Sequence, residues 1–194
     1  MNSNIYMTEA DNYYERNKNA GVSHFAVTLA SLLDLSDKDV AEFGIGNAAS
    51  LSYLSTGAKS IHGYEASAKA VENARRLGLG VTHCNITTMP PGPKGDVIIY
   101  GFFAYYADGP EMAQVYKTTL EMLNPGGFVF VYDFLTRHMT SHPDKYNAEL
   151  SVFKRPLWYW NYLMKDFDLI NYSLCDWEKA DEEWTFSALY RRVP

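Results

Sequence analysis

Asp39-Val-Ala-Glu42-Phe-Gly44-Ile-Gly46-Asn47-Ala48, read with the carboxylate that closes Ile61-His-Gly-Tyr-Glu65, decides the fold of this chain. A short apolar run enters two glycines and then a helical pattern. A second apolar run ends on an acid at about the 20-residue spacing of a βαβ nucleoside site. Gly44 and Gly46 lack Cβ, so the backbone turns sharply there and a ligand lies against the main chain. Glu65, at the carboxyl end of a parallel strand, accepts hydrogen bonds from both hydroxyls of a ribose. A dinucleotide fingerprint would place a third glycine where this chain has Ala48, and Glu42 stands two residues before the first glycine. A carboxylate there repels a pyrophosphate and attracts an ammonium. The expected ligand carries a ribose and a positive charge.

Glu42-x-Gly44-x-Gly46-x-Ala48 resembles motif I of the class I S-adenosylmethionine-dependent methyltransferases, with alanine in place of the third glycine. Gly63-Tyr-Glu65-Ala66-Ser67 is similar to the acidic end of that family's second strand. Cys84-Asn85-Ile86 is similar to the adenine-contacting end of the third, with asparagine where aspartate is frequent. Gly95-Asp96-Val-Ile-Ile-Tyr100-Gly101-Phe102 resembles the fourth strand, and Leu123-Asn-Pro125-Gly126-Gly127-Phe-Val-Phe-Val-Tyr132-Asp133 the fifth. The matches run in order over residues 39 to 133.

The resemblance implies an α/β fold: a Rossmann-like three-layer αβα sandwich on a mostly parallel seven-stranded sheet whose last strand is antiparallel. It implies one domain over 1–194, with N-terminal cap or lid helices in 1–35, a cofactor-binding core in 36–135, and substrate-side and edge strands in 136–194. The implied cofactor is S-adenosyl-L-methionine, leaving as S-adenosyl-L-homocysteine, with no metal. Its expected contacts are Glu42, Gly44, Gly46, Asn47, Glu65, Ala66, Asn85, Ile86, Tyr100, Gly101 and Phe102. The acceptor is expected over the carboxyl ends of strands four and five. Tyr105, Tyr106, Asp133 and His138 are the catalytic candidates there, with His142 a further histidine nearby, and Tyr13, Tyr14 and Phe103 the lid and substrate residues.

Hydrophobic patterning supports that organisation. Strands are expected near 39–44, 60–65, 80–85, 95–101 and 127–133, each apolar enough to be buried on both faces. Helices are expected over Val22 to Leu35 and near 47–56, 67–78 and 109–123, the last ended by Asn124-Pro125-Gly126-Gly127. Phe167 to Asp176 and Trp184 to Arg192 read as an antiparallel pair at the sheet edge. Residues 9 to 20 are polar, and the stretch before Phe167 is less regular. The 194 residues, 47% of them hydrophobic, suffice for one buried core.

Charge and absences narrow the function. A formal net charge of -6 and no block of Lys or Arg disfavour a nucleic-acid partner. The polar start Met-Asn-Ser-Asn lacks a signal core, and the longest apolar run, Val97 to Ala107, is too short to cross a bilayer, so no membrane and a cytoplasmic location are expected. Cys84 and Cys175 show no metal spacing and read as reduced, buried thiols. Tyr100-Gly101-Phe102-Phe103 occupies the place where amide and nucleobase-amine methylating enzymes carry Asn/Asp-Pro-Pro-aromatic. The run Leu157-Trp158-Tyr159-Trp160-Asn161-Tyr162 reads as packing or a homodimer interface. The expected function is methyl transfer to an oxygen or nitrogen of a small-molecule metabolite in a biosynthetic pathway. Two alternatives stay open: a non-methylating enzyme using the same pocket, and a non-catalytic partner subunit of a methyltransferase.

Overall fold

The structure, a computed structural model, describes residues 4–176 and 183–193. Its main sheet is laid down by seven largely apolar runs. These are β1 (Asp39–Phe43), β2 (Ser60–Glu65), β3 (Gly80–His83), β4 (Gly95–Gly101), β5 (Leu123–Thr136), β8 (Phe167–Asp176) and β9 (Glu183–Arg192). They stand in the order β3-β2-β1-β4-β5-β9-β8. The first five are parallel, while β9 runs antiparallel between β5 and β8. The seven-stranded expectation and the antiparallel edge hairpin are therefore both met.

Helices cover the two faces. Val40, Val97, Ile99 and Phe130 pack on Phe25 and Leu29 of α2 (His24–Leu32). Beside them, Ile45, Leu51 of α3 (Ala49–Ser55), Val71 and Ala74 of α4 (Ala68–Arg76) and Val81 close a smaller cluster. On the other face Ala41, Phe43, Ile98, Tyr100, Val129 and Val131 meet Met112 and Val115 of α5 (Gly109–Met122) and Trp160 of α6 (Leu157–Leu163). The Trp-Tyr-Trp segment supplies this packing through Trp160, while Trp158 and Tyr162 remain exposed.

Two details depart from the sequence reading. The Asn124-Pro125-Gly126-Gly127 tract does follow the end of α5 at Met122, but it already belongs to β5, which starts at Leu123 rather than near 127. Gly95 pairs with Leu123 and Val97 already with Phe128, so the tract bulges out of the ladder, with Gly126 at φ 75°. The irregular stretch after β5 contains an antiparallel pair of its own, β6 (Thr140–Pro143) and β7 (Ser151–Lys154). Cys84 is a free, half-buried thiol that burial pushes up to about 11. The side chain of Cys175 lies outside the described residues.

The strand order reverses beside β1, which has β2 on one side and β4 on the other. In an open parallel sheet this leaves a crevice at the carboxyl ends of the strands. Here α1 (Asn4–Asn17) roofs it. Asp11 accepts from the Ser67 hydroxyl at 2.7 Å and from the Lys69 amide at 3.1 Å, so it serves the exposed N–H groups at the start of α4. Tyr6 donates to the Tyr106 carbonyl and is bonded to Glu111 of α5, and the Asn47 amide reaches the carbonyls of Asn17 and Ala20.

Candidate active site

The cavity under α1 has a volume of about 600 Å³ and two unlike halves. One half is built from the glycine loop and the end of β2. Glu65 is buried, and its two oxygens are held apart by the backbone: Oε2 accepts from Gly46 N at 2.9 Å and Oε1 from Ser67 N at 2.8 Å. Burial raises its pKa, and these N–H groups only partly offset that. Each oxygen keeps a lone pair for a further donor. Gly44 has φ 77°, and a Cβ there would come within 2.8 Å of the Phe103 Cβ. Gly46 has φ 54°, and a Cβ on it would meet no atom within 4 Å. Ala48, at the third motif position, is fully buried at φ 63°, a conformation that costs an L-residue roughly 1–2 kcal/mol. Its methyl packs with Ile45, Leu51 and Val71, which offsets part of that strain.

Glu42 is the unusual group of this half. It is 2% exposed, and its Oε2 is buried with no hydrogen-bond partner. Burial, reinforced by the neighbouring charge of Glu65, pushes its pKa up to about 8. A buried carboxyl without a partner is costly, and a cation or strong donor in the cavity would relieve it. The pinned Glu65 and the partnerless Glu42 oxygen thus fit a ribose-bearing cation. Asn85, Ile86, Ala66, Gly101 and Phe102 also line the cavity. The Asn85 oxygen, however, already accepts from the amide and hydroxyl of Thr87, both at 3.0 Å. It is committed to its own turn rather than left facing outward.

The other half is aromatic. Phe102 follows β4 with φ 41°, a strained conformation for a bulky residue costing of order 1–3 kcal/mol. That turn sets its ring edge-on to Tyr132 at 4.8 Å and 5.2 Å from Phe134. The following 3₁₀ turn, Ala104–Tyr106, brings Tyr105 to 5.4 Å from Phe134 and 4.2 Å from Tyr106. Tyr13 comes down from α1 to meet Tyr106 edge-on at 6.3 Å. Burial and the adjacent Tyr13 and Tyr106 raise the Tyr105 hydroxyl well above its ordinary range. Tyr106 is raised as well, and it donates to Asp144 at 3.2 Å. Glu9 of α1 also lines this cavity. Burial works against its charge, yet hydrogen bonds from Arg16, Asn12 and Asn147 hold its carboxyl below the usual range.

Several candidates stand elsewhere. Tyr100 is fully buried on the α5 face, stacked on Phe43, with its hydroxyl bonded to Thr119, so it cannot touch a ligand under α1. Asp133 follows Tyr132 on β5, and strand alternation turns it to the α6 face. It is 1% exposed, burial pushes its pKa up to about 7, and the Arg155 charge and the Phe134 amide oppose that rise. His138 is exposed and outside the cavity, and Tyr14 does not line it. His142, exposed, borders a second hollow of about 410 Å³ that shares Tyr13, Tyr105 and Tyr106 with the first.

Arg155 escaped the sequence reading entirely. It is 1% exposed, and its guanidinium donates to the Ala104 carbonyl at 2.8 Å and to the Ala107 carbonyl. It therefore clamps both ends of the turn that carries Tyr105 and Tyr106. A single arginine before Pro156, with no acid at a telling spacing, gave no signal.

No family model matches the chain, and no curated protein matches it by sequence. Solved structures do match. The 1,6-didemethyltoxoflavin-N1-methyltransferase of Burkholderia thailandensis, solved with 1,6-didemethyltoxoflavin and S-adenosylhomocysteine, aligns with a TM-score of 0.82 over 99% of this chain and 89% of that one, at 11% identity. The N-methyltransferase NodS of Bradyrhizobium japonicum WM9, in complex with S-adenosylhomocysteine, gives 0.68 over 95% and 98%, at 17% identity. A SAM-dependent methyltransferase of Methanosarcina mazei gives 0.71 over 86% and 97%, at 14% identity. The chain has the Rossmann-like fold of the class I SAM-dependent methyltransferases.

Proposed function

We propose that this chain is an S-adenosylmethionine-dependent methyltransferase acting on an oxygen or nitrogen of a small-molecule metabolite. The observation that carries the reading is Glu65, pinned by the Gly46 and Ser67 amides at the floor of a cavity whose far wall is aromatic. Neighbours of the same fold, solved with S-adenosylhomocysteine, support it. We read the chain as a single methyltransferase domain, working in the cytoplasm and needing no partner protein for catalysis.

Bound S-adenosylmethionine supplies an already activated methyl group, so the protein's task is positioning and exclusion of water. Glu65 takes the ribose hydroxyls, and Gly44 and Gly46 let the ligand approach the main chain. Glu42 faces the positive charge. Phe102, Phe103, Tyr105 and Phe134 form the wall against which the acceptor is held, and α1 closes the site from water through Tyr13.

A transfer assay with tritium-labelled methyl donor over metabolite extracts tests the proposal. Expected is label in a small molecule, with S-adenosylhomocysteine formed in equal amount. Donor binding without transfer to any small molecule or protein would overturn it.

A further inference from the structure

Methyl transfer to an O–H or N–H acceptor, the reading on which this inference rests, releases a proton inside a cavity that excludes water, so the proton needs a way out. Three side chains stand in line between that cavity and the second hollow. Tyr105 and Tyr106 line both, whereas Asp144 borders the hollow alone. The Tyr106 hydroxyl lies 3.2 Å from Asp144 Oδ2, and a carboxylate only accepts, so the Tyr106 proton points at Asp144. The two tyrosines are hydrogen-bonded to each other, with their rings 4.2 Å apart. With the Tyr106 proton committed to Asp144, it is Tyr105 that donates in that bond. The Tyr105 proton is then spent as well, so towards a ligand this residue offers an oxygen lone pair rather than a donor. Tyr13, its other hydrogen-bond partner, takes at most one of the two lone pairs.

The line is fixed at both ends. Arg155 holds the carbonyls of Ala104 and Ala107, and Tyr6 holds that of Tyr106, so the turn carrying the tyrosines is tied at three points. Asp144 Oδ1 accepts from the amides of Tyr146 at 2.8 Å and Asn147 at 3.1 Å, which leaves Oδ2 to Tyr106. Arg16, His142 and Lys145 border the same hollow and put positive or protonatable groups round this carboxylate. Other bases lie nearby but are bonded elsewhere. His24 of the cavity wall meets Thr28, His142 donates to the Pro143 carbonyl, and Glu9 is held by Arg16, Asn12 and Asn147.

We infer that Tyr105, Tyr106 and Asp144 carry the acceptor's proton out of the reaction cavity to solvent at the second hollow. The acceptor oxygen or nitrogen forms its bond to the methyl carbon as the C–S bond breaks, and that bonding pair stays on sulfur. The acceptor's proton moves to the Tyr105 oxygen, the Tyr105 proton to Tyr106, and the Tyr106 proton to Asp144. Both tyrosines end neutral, and the sulfonium and carboxylate charges disappear together. Asp144, half-buried at the edge of the hollow, passes the proton to water, and rotation of the two hydroxyls resets the line. Tyr105 touches the acceptor, while Tyr106 and Asp144 act through it.

The test compares Asp144→Asn and Tyr106→Phe with the unaltered chain. Asparagine keeps an oxygen for the Tyr146 and Asn147 amides and turns an NH2 to Tyr106 in place of an acceptor. With the labelled small molecule from the extract screen as acceptor, each variant should lower kcat by about 10²-fold, the lower end of what positioned proton transfer contributes, at near-normal KM. S-adenosylhomocysteine affinity by calorimetry should stay unchanged. In Asp144→Asn the rate should also climb with buffer-base concentration at fixed pH, a response that a merely structural lesion does not produce. A second readout needs no acceptor. In the S-adenosylhomocysteine complex, exchange of the Tyr105 hydroxyl proton, read from the deuterium isotope shift on its Cζ by NMR, should slow several-fold in either variant. Unchanged kcat or unchanged Tyr105 exchange in both variants overturns the relay, as does a loss found instead in His24→Gln, His142→Gln or Glu9→Gln, while transfer itself upholds the methyltransferase reading. Absence of both donor binding and transfer overturns that reading and the relay with it.

Discussion

The Glu65 carboxylate accepts the Gly46 amide at 2.9 Å, so the acid that ends β2 also fixes the loop that leaves β1. One residue thus sets both the proposed ribose contact and the shape of the glycine turn beside it. Its second oxygen, on Ser67 N at 2.8 Å, ties the start of α4 into the same arrangement.

Glu65→Ala should therefore lower affinity for S-adenosylhomocysteine by about 3–6 kcal/mol, the sum of two hydrogen bonds to a charged group at about 1.5–3 kcal/mol each. Isothermal calorimetry reads this directly, and circular dichroism checks that the sheet is intact. Unchanged affinity would remove the ribose from this carboxylate.

Glu42 predicts a proton count. With a pKa near 8 it is mostly protonated at pH 7 in the free chain, and a cation at its partnerless oxygen favours the ionised form. Binding at pH 7 should release most of a proton, read from calorimetry in buffers of different ionisation heat. The release should vanish in Glu42→Gln.

The same group sets a direction for stability. A carboxyl raised from 4.5 to about 8 on folding contributes most below its unfolded value, and that contribution is lost as pH rises to about 8. The slope is about 1.4 kcal/mol per pH unit for one group. Asp133, raised from 3.8 to about 7, acts in the same direction. The free chain should unfold at lower temperature at pH 8 than at pH 5, and Glu42→Gln should flatten part of that slope.

The sheet was legible in the sequence because buried parallel strands announce themselves as apolar runs ended by Gly, Asn or an acid, as at Glu65 and Gly101. Which side chain faces the ligand was not. A strand buried on both faces has no polar alternation, so Tyr100 and Gly101, or Tyr132 and Asp133, cannot be sorted by pattern. The left-handed backbone of Phe102 was equally silent, since a phenylalanine gives no hint of φ 41°. The β6–β7 hairpin was missed because β6 is exposed along its whole length and carries no periodic apolar signal.

Arg155 and Asp133 are both buried behind the Ala104–Tyr106 turn, and the Arg155 charge opposes the rise that burial imposes on the Asp133 carboxyl. Arg155→Met leaves the Ala104 and Ala107 carbonyls without their donor and Asp133 without its countercharge. Two buried carbonyls left without a donor cost about 2–6 kcal/mol together, at about 1–3 kcal/mol each, measurable by urea unfolding. Adding Asp133→Asn should recover part of the loss at pH values above about 7, where the Asp133 carboxyl ionises without a countercharge, and little at pH 5, where it is neutral. Losses that merely add would show that the two groups are not coupled.

The roof predicts where the site opens. Asp11 holds α1 to α4 through the Ser67 hydroxyl and the Lys69 amide, and Lys69 reaches Glu15 at 2.7 Å. The Lys69–Glu15 pair is exposed and worth little, so Asp11 is the stronger tie on this side. Asp11→Ala should raise hydrogen exchange in α1 while leaving β1, β4 and β5 protected. S-adenosylhomocysteine should dissociate several-fold faster, because the helix carrying Tyr13 no longer stays down over the cavity. Stopped-flow release and exchange mass spectrometry read the two effects separately. An unchanged release rate with a loosened α1 would mean that this helix does not gate the cavity.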